Sequence, residues 1–266
     1  MDLRQSIPEF FDFFHSMDID VYPILLRHDT EFYSKENLRI LFLLTDADHE
    51  IKTKPNEIIL RTSGLMSEMK KTENEFVLPY FFESLLEPYK PLKKESARPK
   101  VGFCGQHGWV PHRIDSIKEL SKSKLIDDDI ILRNAFWGGS PNGEQVRKEF
   151  FDNIERNHFN LCCRGHGNFS MRFYQVLSAG RIPVFIESDM PLPLDDLVDY
   201  NEFCIIAKNP RHLSKLILEA WENNDIEGMQ QKAADFYHTM ISHKTYHKHL
   251  IKDPRFINIL KKYNKI

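Results

Sequence analysis

Arg164, Gly165, Gly167, Asn168, Ser170 and Arg172 crowd into the stretch CCRGHGNFSMRFYQVLSAGRIPVFI, residues 162–186. Backbone N–H groups beside glycine at the start of a helix can hold an anion, and the helix dipole adds to that pull. Gly165 and Gly167 allow the close backbone approach that side chains would block, and Asn168 or Ser170 can serve as the N-cap. The planar, permanently charged guanidiniums of Arg164 and Arg172 suit a diphosphate. Asn168, Arg172 and Gln175 follow an i, i+4, i+7 spacing that would put them on one helix face, with Phe173, Val176 and Leu177 turned toward a sheet. The same spacing leaves a second reading open, in which the arginines only pair with surface carboxylates. Neither GxGxxG nor GxxxxGK[ST] occurs, so the dinucleotide fingerprint and the P-loop are both unsupported.

Such a loop needs a strand before it and a helix and strand after it. FNLCC, the residues from Met171 on, and IPVFI read in that order. Upstream, KVGFCG, a helix around Arg113 to Ser121, DIILRNAF and a helix around Glu144 to Asn157 continue the alternation, which implies a parallel sheet with right-handed crossovers. Pro210 to Asn223 and Ile226 to Ser242 read as amphipathic helices, and the last basic residues as a solvated tail. In the first half, Ile7, Phe10, Phe11 and Phe14 give Ile7 to Met17 one apolar helical face. VYPILL, LRILFLL and EIILR read as buried strands, while Asn74 to Leu86 stays open between strand and helix. The proline-rich, basic stretch EPYKPLKKESARPK reads as a linker. The expected organisation is α/β: a first domain over 1–95, a second over 96–240 and a helical tail over 241–266.

Composition narrows the classes of function. A net charge of -3 over 266 residues, without a long basic run, leaves no electrostatic footprint for nucleic acid. No apolar stretch approaches the roughly 18 residues of a transmembrane span. The four cysteines, Cys104, Cys162, Cys163 and Cys204, form neither a CxxC pair nor a regular framework, so neither zinc nor disulfides are expected and a cytosolic setting fits.

Ligands of an open parallel sheet sit beyond the carboxyl ends of its strands, so the residues that close each apolar run are the candidates. In the second half these are Gly105, Gln106 and His107, then Arg113 at the next helix start, Arg133, and the loop Trp137-Gly138-Gly139. In the first half they are His28 and Asp29, Asp46 and Asp48, and Arg61, Thr62 and Ser63.

FNLCCRGHGNFSMRFYQVLSAGRIPVFIESDMPLP resembles the signature of the exostosin-like glycosyltransferases, and IILRTSGL, NEFVLPYFFE and RPKVGFCGQ resemble segments of small soluble members of that family. The resemblance covers roughly residues 39–200. It implies a GT-B fold, two Rossmann-like domains facing across a cleft, with the nucleotide-sugar donor on the C-terminal one and a glycan or glycoconjugate acceptor on the N-terminal one. On that basis Arg164, Gly165, Gly167, Asn168, Ser170, Arg172 and Gln175, with Gly105, Gln106, His107, Arg113 and Arg133, form the donor side. His28, Arg61, Thr62 and Ser63 form the acceptor side. Gln175 stands where the family usually has a glutamate for the ribose hydroxyls; an amide keeps the hydrogen bonds and loses their charge-assisted strength.

Inverting sugar transfer needs a base for the acceptor hydroxyl and stabilisation for the departing diphosphate. Asp46, Asp48 and Asp29 are the candidates for the base, and each is equally open to a turn-capping role. The expected enzyme uses a UDP-sugar and no metal or other cofactor. Exostosin relatives are typically anchored in the secretory pathway, so the lack of an apolar span here points to a bacterial cytosol, or a host cytosol for a viral protein. A GDP-fucosyltransferase of the same fold and a catalytically silent sugar-nucleotide or glycan-binding module are the alternatives. Asp46-Ala47-Asp48 also fits the D-x-D of a metal-dependent GT-A transferase, in which paired carboxylates take a hard cation.

Overall fold

The computed structural model of the chain describes residues 7–24, 37–46, 48–81, 89–108, 110–135 and 143–266. His28, Asp29 and the Trp137-Gly138-Gly139 loop lie outside the described residues. The first half holds helix α1 (Pro8–Ser16) and four parallel strands, β1 (Asp20–Ile24), β2 (Arg39–Leu43), β3 (Glu57–Arg61) and β4 (Glu75–Val77), in sequential order. The stretch from Asn74 resolves as strand at its start. A short helix α2 (Met66–Met69) connects β3 to β4.

Alternation along the strands divides the side chains between two faces. Ile40, Phe42, Ile58 and Leu60 turn into the main core, whereas Leu41 and Ile59 form a small cluster with Tyr22, Leu43 and Ile51 on the opposite face. The main core is aromatic: Phe10 and Phe11 from α1 meet Phe42, with ring centroids 5.2 and 5.8 Å away, and Phe14 packs behind Phe10 at 4.9 Å. Two buried ion pairs, Arg39–Glu57 at 2.6 Å and Arg61–Glu75 at 3.1 Å, tie neighbouring strands.

The second half is a five-stranded parallel sheet of β5 (Lys100–Gln106), β6 (Asp127–Arg133), β7 (Phe159–Leu161), β8 (Ile182–Ile186) and β9 (Ile205–Ala207), in the order β6-β5-β7-β8-β9. Helices α3 (Pro111–Lys122), α4 (Glu144–Glu155), α5 (Met171–Ser178), α6 (Leu213–Asn223) and α7 (Ile226–Phe236) accompany it. Strand β9 was not anticipated, because three residues closed by polar ones carry no readable period. The chain steps from β5 to β6 on one side, then returns to lay β7 on the other. The strand order therefore reverses between β5 and β7, which is where open α/β sheets bind ligands.

The stretch read as a linker is strapped down. The Leu92 N–H donates to Gln230 Oε1 at 3.0 Å, and Gln230 Nε2 donates to the Leu92 carbonyl at 2.9 Å. Arg181 Nη1 donates to the Lys90 carbonyl at 2.9 Å.

The solvated tail is a second correction. After a π-helical turn (Tyr237–Ile241), α8 (Tyr246–Leu250) and α9 (Pro254–Lys262) carry the chain back to the first sheet. Lys261 and Lys262 face solvent, but Phe256 is 0% exposed, between Phe14 and Phe76 with centroids at 5.8 and 5.2 Å. The i, i+3, i+4 spacing of Phe256, Ile259 and Leu260 was readable; the basic residues on either side, Arg255, Lys261 and Lys262, hid it. Phe256→Ala is expected to lower the unfolding free energy by about 3–5 kcal/mol, the range for truncating a core phenylalanine. Urea denaturation that found a change of about 0.5 kcal/mol or less, as for an exposed tail, would refute the packing.

Candidate functional site

Strands β5 and β7 lie side by side, with β5 running on past the end of β7, and the loops that leave them build the site. Arg172, in the first turn of α5, folds back over those ends. Its Nη1 donates to the Leu161 carbonyl at 3.3 Å and its Nη2 to the Cys104 carbonyl, with the guanidinium 4.3 Å from the Phe103 ring centroid. Gly105 leaves the room for this, since a Cβ there would lie 2.7 Å from Arg172 Nη2. Arg113, in the first turn of α3, donates from Nη2 to the Arg164 carbonyl at 2.5 Å and from Nη1 to the Gln106 carbonyl at 3.4 Å. It thereby staples the loops after β5 and β7 together.

Both guanidiniums sit where burial disfavours charge, and burial lowers their pKa from the ordinary arginine value. Among the described residues neither has a carboxylate partner; their hydrogen bonds go to backbone carbonyls. Two guanidiniums thus sit at the switch point with no carboxylate partner among the described residues, where charge withdrawn from water calls for pairing.

Arg164 differs. Its Nη2 pairs with Asp48 Oδ2 at 2.8 Å, both side chains about one-quarter exposed, and also donates to the His166 carbonyl at 3.1 Å. Asp48 Oδ1 accepts the Asn168 N–H at 2.9 Å and the Ser63 hydroxyl. One carboxylate from the loop after β2 thus takes three donors from β3's end and from the cradle loop. Arg61, Thr62 and Ser63, expected to face the acceptor, are 3%, 2% and 1% exposed. They hold the β2 loop instead: Arg61 donates to the His49 carbonyl, Thr62 to the Thr45 carbonyl and Ser63 to Asp48.

Asn168 lies ahead of α5 rather than on it. Its Nδ2 donates to the Gly64 carbonyl at 3.0 Å and the Ser188 carbonyl at 2.8 Å, and its Oδ1 accepts the Ser188 hydroxyl at 3.0 Å. Ser170 occupies the N-cap position without a side-chain cap bond. Gln175 is almost fully buried on α5. Arg133 is drawn away to Glu149, and His107 is exposed beyond β5. Asp46 keeps its carboxyl side exposed while its backbone packs on Gly167.

A pocket lined by His112, Arg113, Cys163, Arg164, Ile186 and Ser188 opens at this place. Burial pushes the Cys163 thiol up to about 11, so it stays protonated at neutral pH. Ser188 and Ile186 were missed in the sequence, although the strand-end rule applied to IPVFI leads to both. Among the described residues no cluster of three or more His, Cys, Asp or Glu could hold a metal ion.

The family model of the Exostosin GT47 domain matches residues 43–220. No curated protein matches the sequence. Among solved structures, a glycosyltransferase from Rickettsia africae ESF-5 is similar at 9% identity and a TM-score of 0.50, covering 96% of this chain and 81% of that one. TarM is similar at 11% identity and a TM-score of 0.46, covering 85% of this chain, which spans only about half (50%) of TarM. A TarM variant from S. aureus, solved with Fondaparinux, alpha-GlcNAc-glycerol and UDP, matches at 14% identity and a TM-score of 0.41, over 89% of this chain and 52% of that one. With its two parallel sheets the fold is of the GT-B type, which replaces the GT-A alternative. No helix among the described residues is long and apolar enough to cross a membrane.

The two cradle glycines make a contrast that can be measured. A Cβ on Gly167 would meet Ser63 Oγ at 2.6 Å and Asp46 Cα at 2.8 Å, whereas one on Gly165 would meet nothing within 4 Å. Gly167→Ala should therefore cost about 1–3 kcal/mol by overpacking the junction. Gly165→Ala should stay within about 0.5 kcal/mol of the parent. Equal denaturation midpoints for the two variants would contradict the close packing.

Proposed function

Because the chain belongs to the exostosin GT47 family of glycosyltransferases, we propose that it transfers a sugar from a nucleoside-diphosphate donor to a hydroxyl of a glycan or glycoconjugate. The observation that carries this reading is the pair Arg113 and Arg172, two guanidiniums at the β5/β7 switch point whose hydrogen bonds go to carbonyl oxygens alone. A diphosphate supplies the missing negative charge. With Arg164 it meets three cations, enough to stabilise a departing nucleoside diphosphate electrostatically. UDP is the proposed nucleotide and GDP the alternative; Gln175 in place of a carboxylate leaves the ribose contact neutral.

In the proposed reaction the acceptor oxygen attacks the anomeric carbon from the face opposite the diphosphate. The C–O bond to phosphate breaks, the hydroxyl proton passes to a carboxylate, and the configuration inverts. Asp46 is the proposed base. Its backbone is anchored beside the cradle while its carboxyl faces solvent, whereas Asp48 has both oxygens engaged by donors. The proposed chemistry needs no metal, because arginines supply the positive charge and Asp48 is bound to a guanidinium, an amide and a hydroxyl rather than set out as a cation ligand. A cytosolic setting is part of the proposal, supported by four free cysteines.

A thermal-shift screen of UDP- and GDP-sugars should find one donor that stabilises the protein, by about 2.7 kcal/mol at roughly a hundredfold excess over Kd. Arg164→Ala should abolish that stabilisation. Transfer to a glycan acceptor should survive EDTA and be lost in Asp46→Asn. A protein that no nucleotide sugar stabilises is not a transferase of this kind, and donor binding without turnover would make it a binding module.

A further inference from the structure

Asp48 sits as an anion would sit in the cradle. It reaches across from the first sheet, places Oδ2 on Arg164 Nη2 at 2.8 Å, and sets Oδ1 on the Asn168 N–H at 2.9 Å. Those are two of the donors that the cradle would offer a phosphate. The carboxylate is therefore a ligand of the site rather than a neighbour of it. Charge bookkeeping agrees, since of the three guanidiniums gathered at the ends of β5 and β7, Arg164 is the one paired with a carboxylate.

Resting on the reading of this site as a nucleoside-diphosphate cradle, we propose that Asp48 is an internal plug which the donor's diphosphate must displace. The diphosphate takes over Arg164 and the Asn168 amide. Asp48 then gives up the Ser63 hydroxyl as well, and its carboxylate is delivered to the space between the two sheets, where the acceptor comes. Donor binding thereby precedes and prepares acceptor binding, and a carboxylate repels a second anion from the emptied site after release of the product.

The energetics permit this. Asp48 and Arg164 are 28% and 27% exposed, so their pair is partly solvated and contributes on the order of 1 kcal/mol. Gly167 against Asp46, and Asn168 against the Gly64 and Ser188 carbonyls, still hold the loops together when the plug leaves. Displacement therefore does not require the two sheets to part. While the plug is in place, only the unplugged fraction of molecules binds donor, and the apparent affinity falls by that fraction.

The plug makes a prediction opposite in sign to that of a structural ion pair. Asp48→Asn removes the competing charge, so UDP, GDP and inorganic pyrophosphate, measured by calorimetry on the full chain, should show a gain for whichever binds the parent, about tenfold in Kd. A brace, once removed, would loosen the cradle and weaken binding. An unchanged or weaker affinity in Asp48→Asn overturns the plug while leaving the transferase reading intact. Failure of both parent and variant to bind any of the three probes overturns both. Should Asp48→Asn not fold, Ser63→Ala carries the test: it deletes one donor to the plug and should raise affinity for the same probes roughly threefold. No gain there is equally fatal.

Discussion

The site is arranged around two guanidiniums, Arg113 and Arg172, that no carboxylate among the described residues neutralises. The carbonyl oxygens of Cys104 and Leu161 receive Arg172, and those of Gln106, Cys163 and Arg164 receive Arg113. A carbonyl dipole orients a guanidinium and satisfies its protons, but it does not cancel the charge. The parallel sheet makes this possible, because strands running the same way deliver all their terminal carbonyls to one end. The order reversal between β5 and β7 then opens the gap in which two arginines fit. The fold thus gathers positive charge at one end of the sheet, and the loop sequences decide how many cations enter it.

The two sheets are joined by packing more than by charge. The ion pair between Asp48 and Arg164 is too exposed to contribute much. The main core, in contrast, runs without a break from Phe10, Phe14 and Phe42 in the first half to Phe173, Phe185 and Phe236 in the second, with Tyr246 and Phe256 returning from the C-terminal helices. The Tyr246 hydroxyl donates to the Val77 carbonyl, and Lys265 pairs with Asp18 at 2.7 Å. A strapped connection over residues 90–94 and a returning C-terminus constrain the halves at two further places. Such a body can exchange one carboxylate for a ligand locally. A wide hinge motion would have to break the shared aromatic core, which costs far more than releasing Asp48.

Much of the architecture was legible because burial leaves a period in the sequence. The strands LRILFLL and EIILR, the crossover helices and the glycine-bearing loop all appear where the apolar spacing put them. What could not be read was partnership. Arg61, Thr62 and Ser63 close a strand in sequence just as Gly105 and Gln106 do, yet each turns inward to hold the β2 loop. Arg133 has the same strand-end position as Cys162-Cys163-Arg164, but Glu149 lies within its reach and claims it. Strand position says which end of the sheet a residue occupies. Which carboxylate or carbonyl waits there is set by other segments, 12–17 residues away for Arg61, Thr62, Ser63 and Arg133 and 116 away for Arg164 and its Asp48.

The cradle loop carries the same lesson at finer scale. Gly165 and Gly167 look equivalent in RGHG, yet one faces open space and the other is pressed against Ser63 and Asp46. Only the second is required by the packing between the sheets. Position 165 has room for a side chain, while its N–H donates to the Phe169 carbonyl at 3.3 Å and so folds the loop back on itself. The first glycine is thus unconstrained by packing, and the second serves the junction that brings Asp48 to the cradle loop. Gly167 is therefore the glycine that the packing between the sheets requires, and under the proposed plug it is the contact that holds Asp46, and with it the loop carrying Asp48, against the cradle.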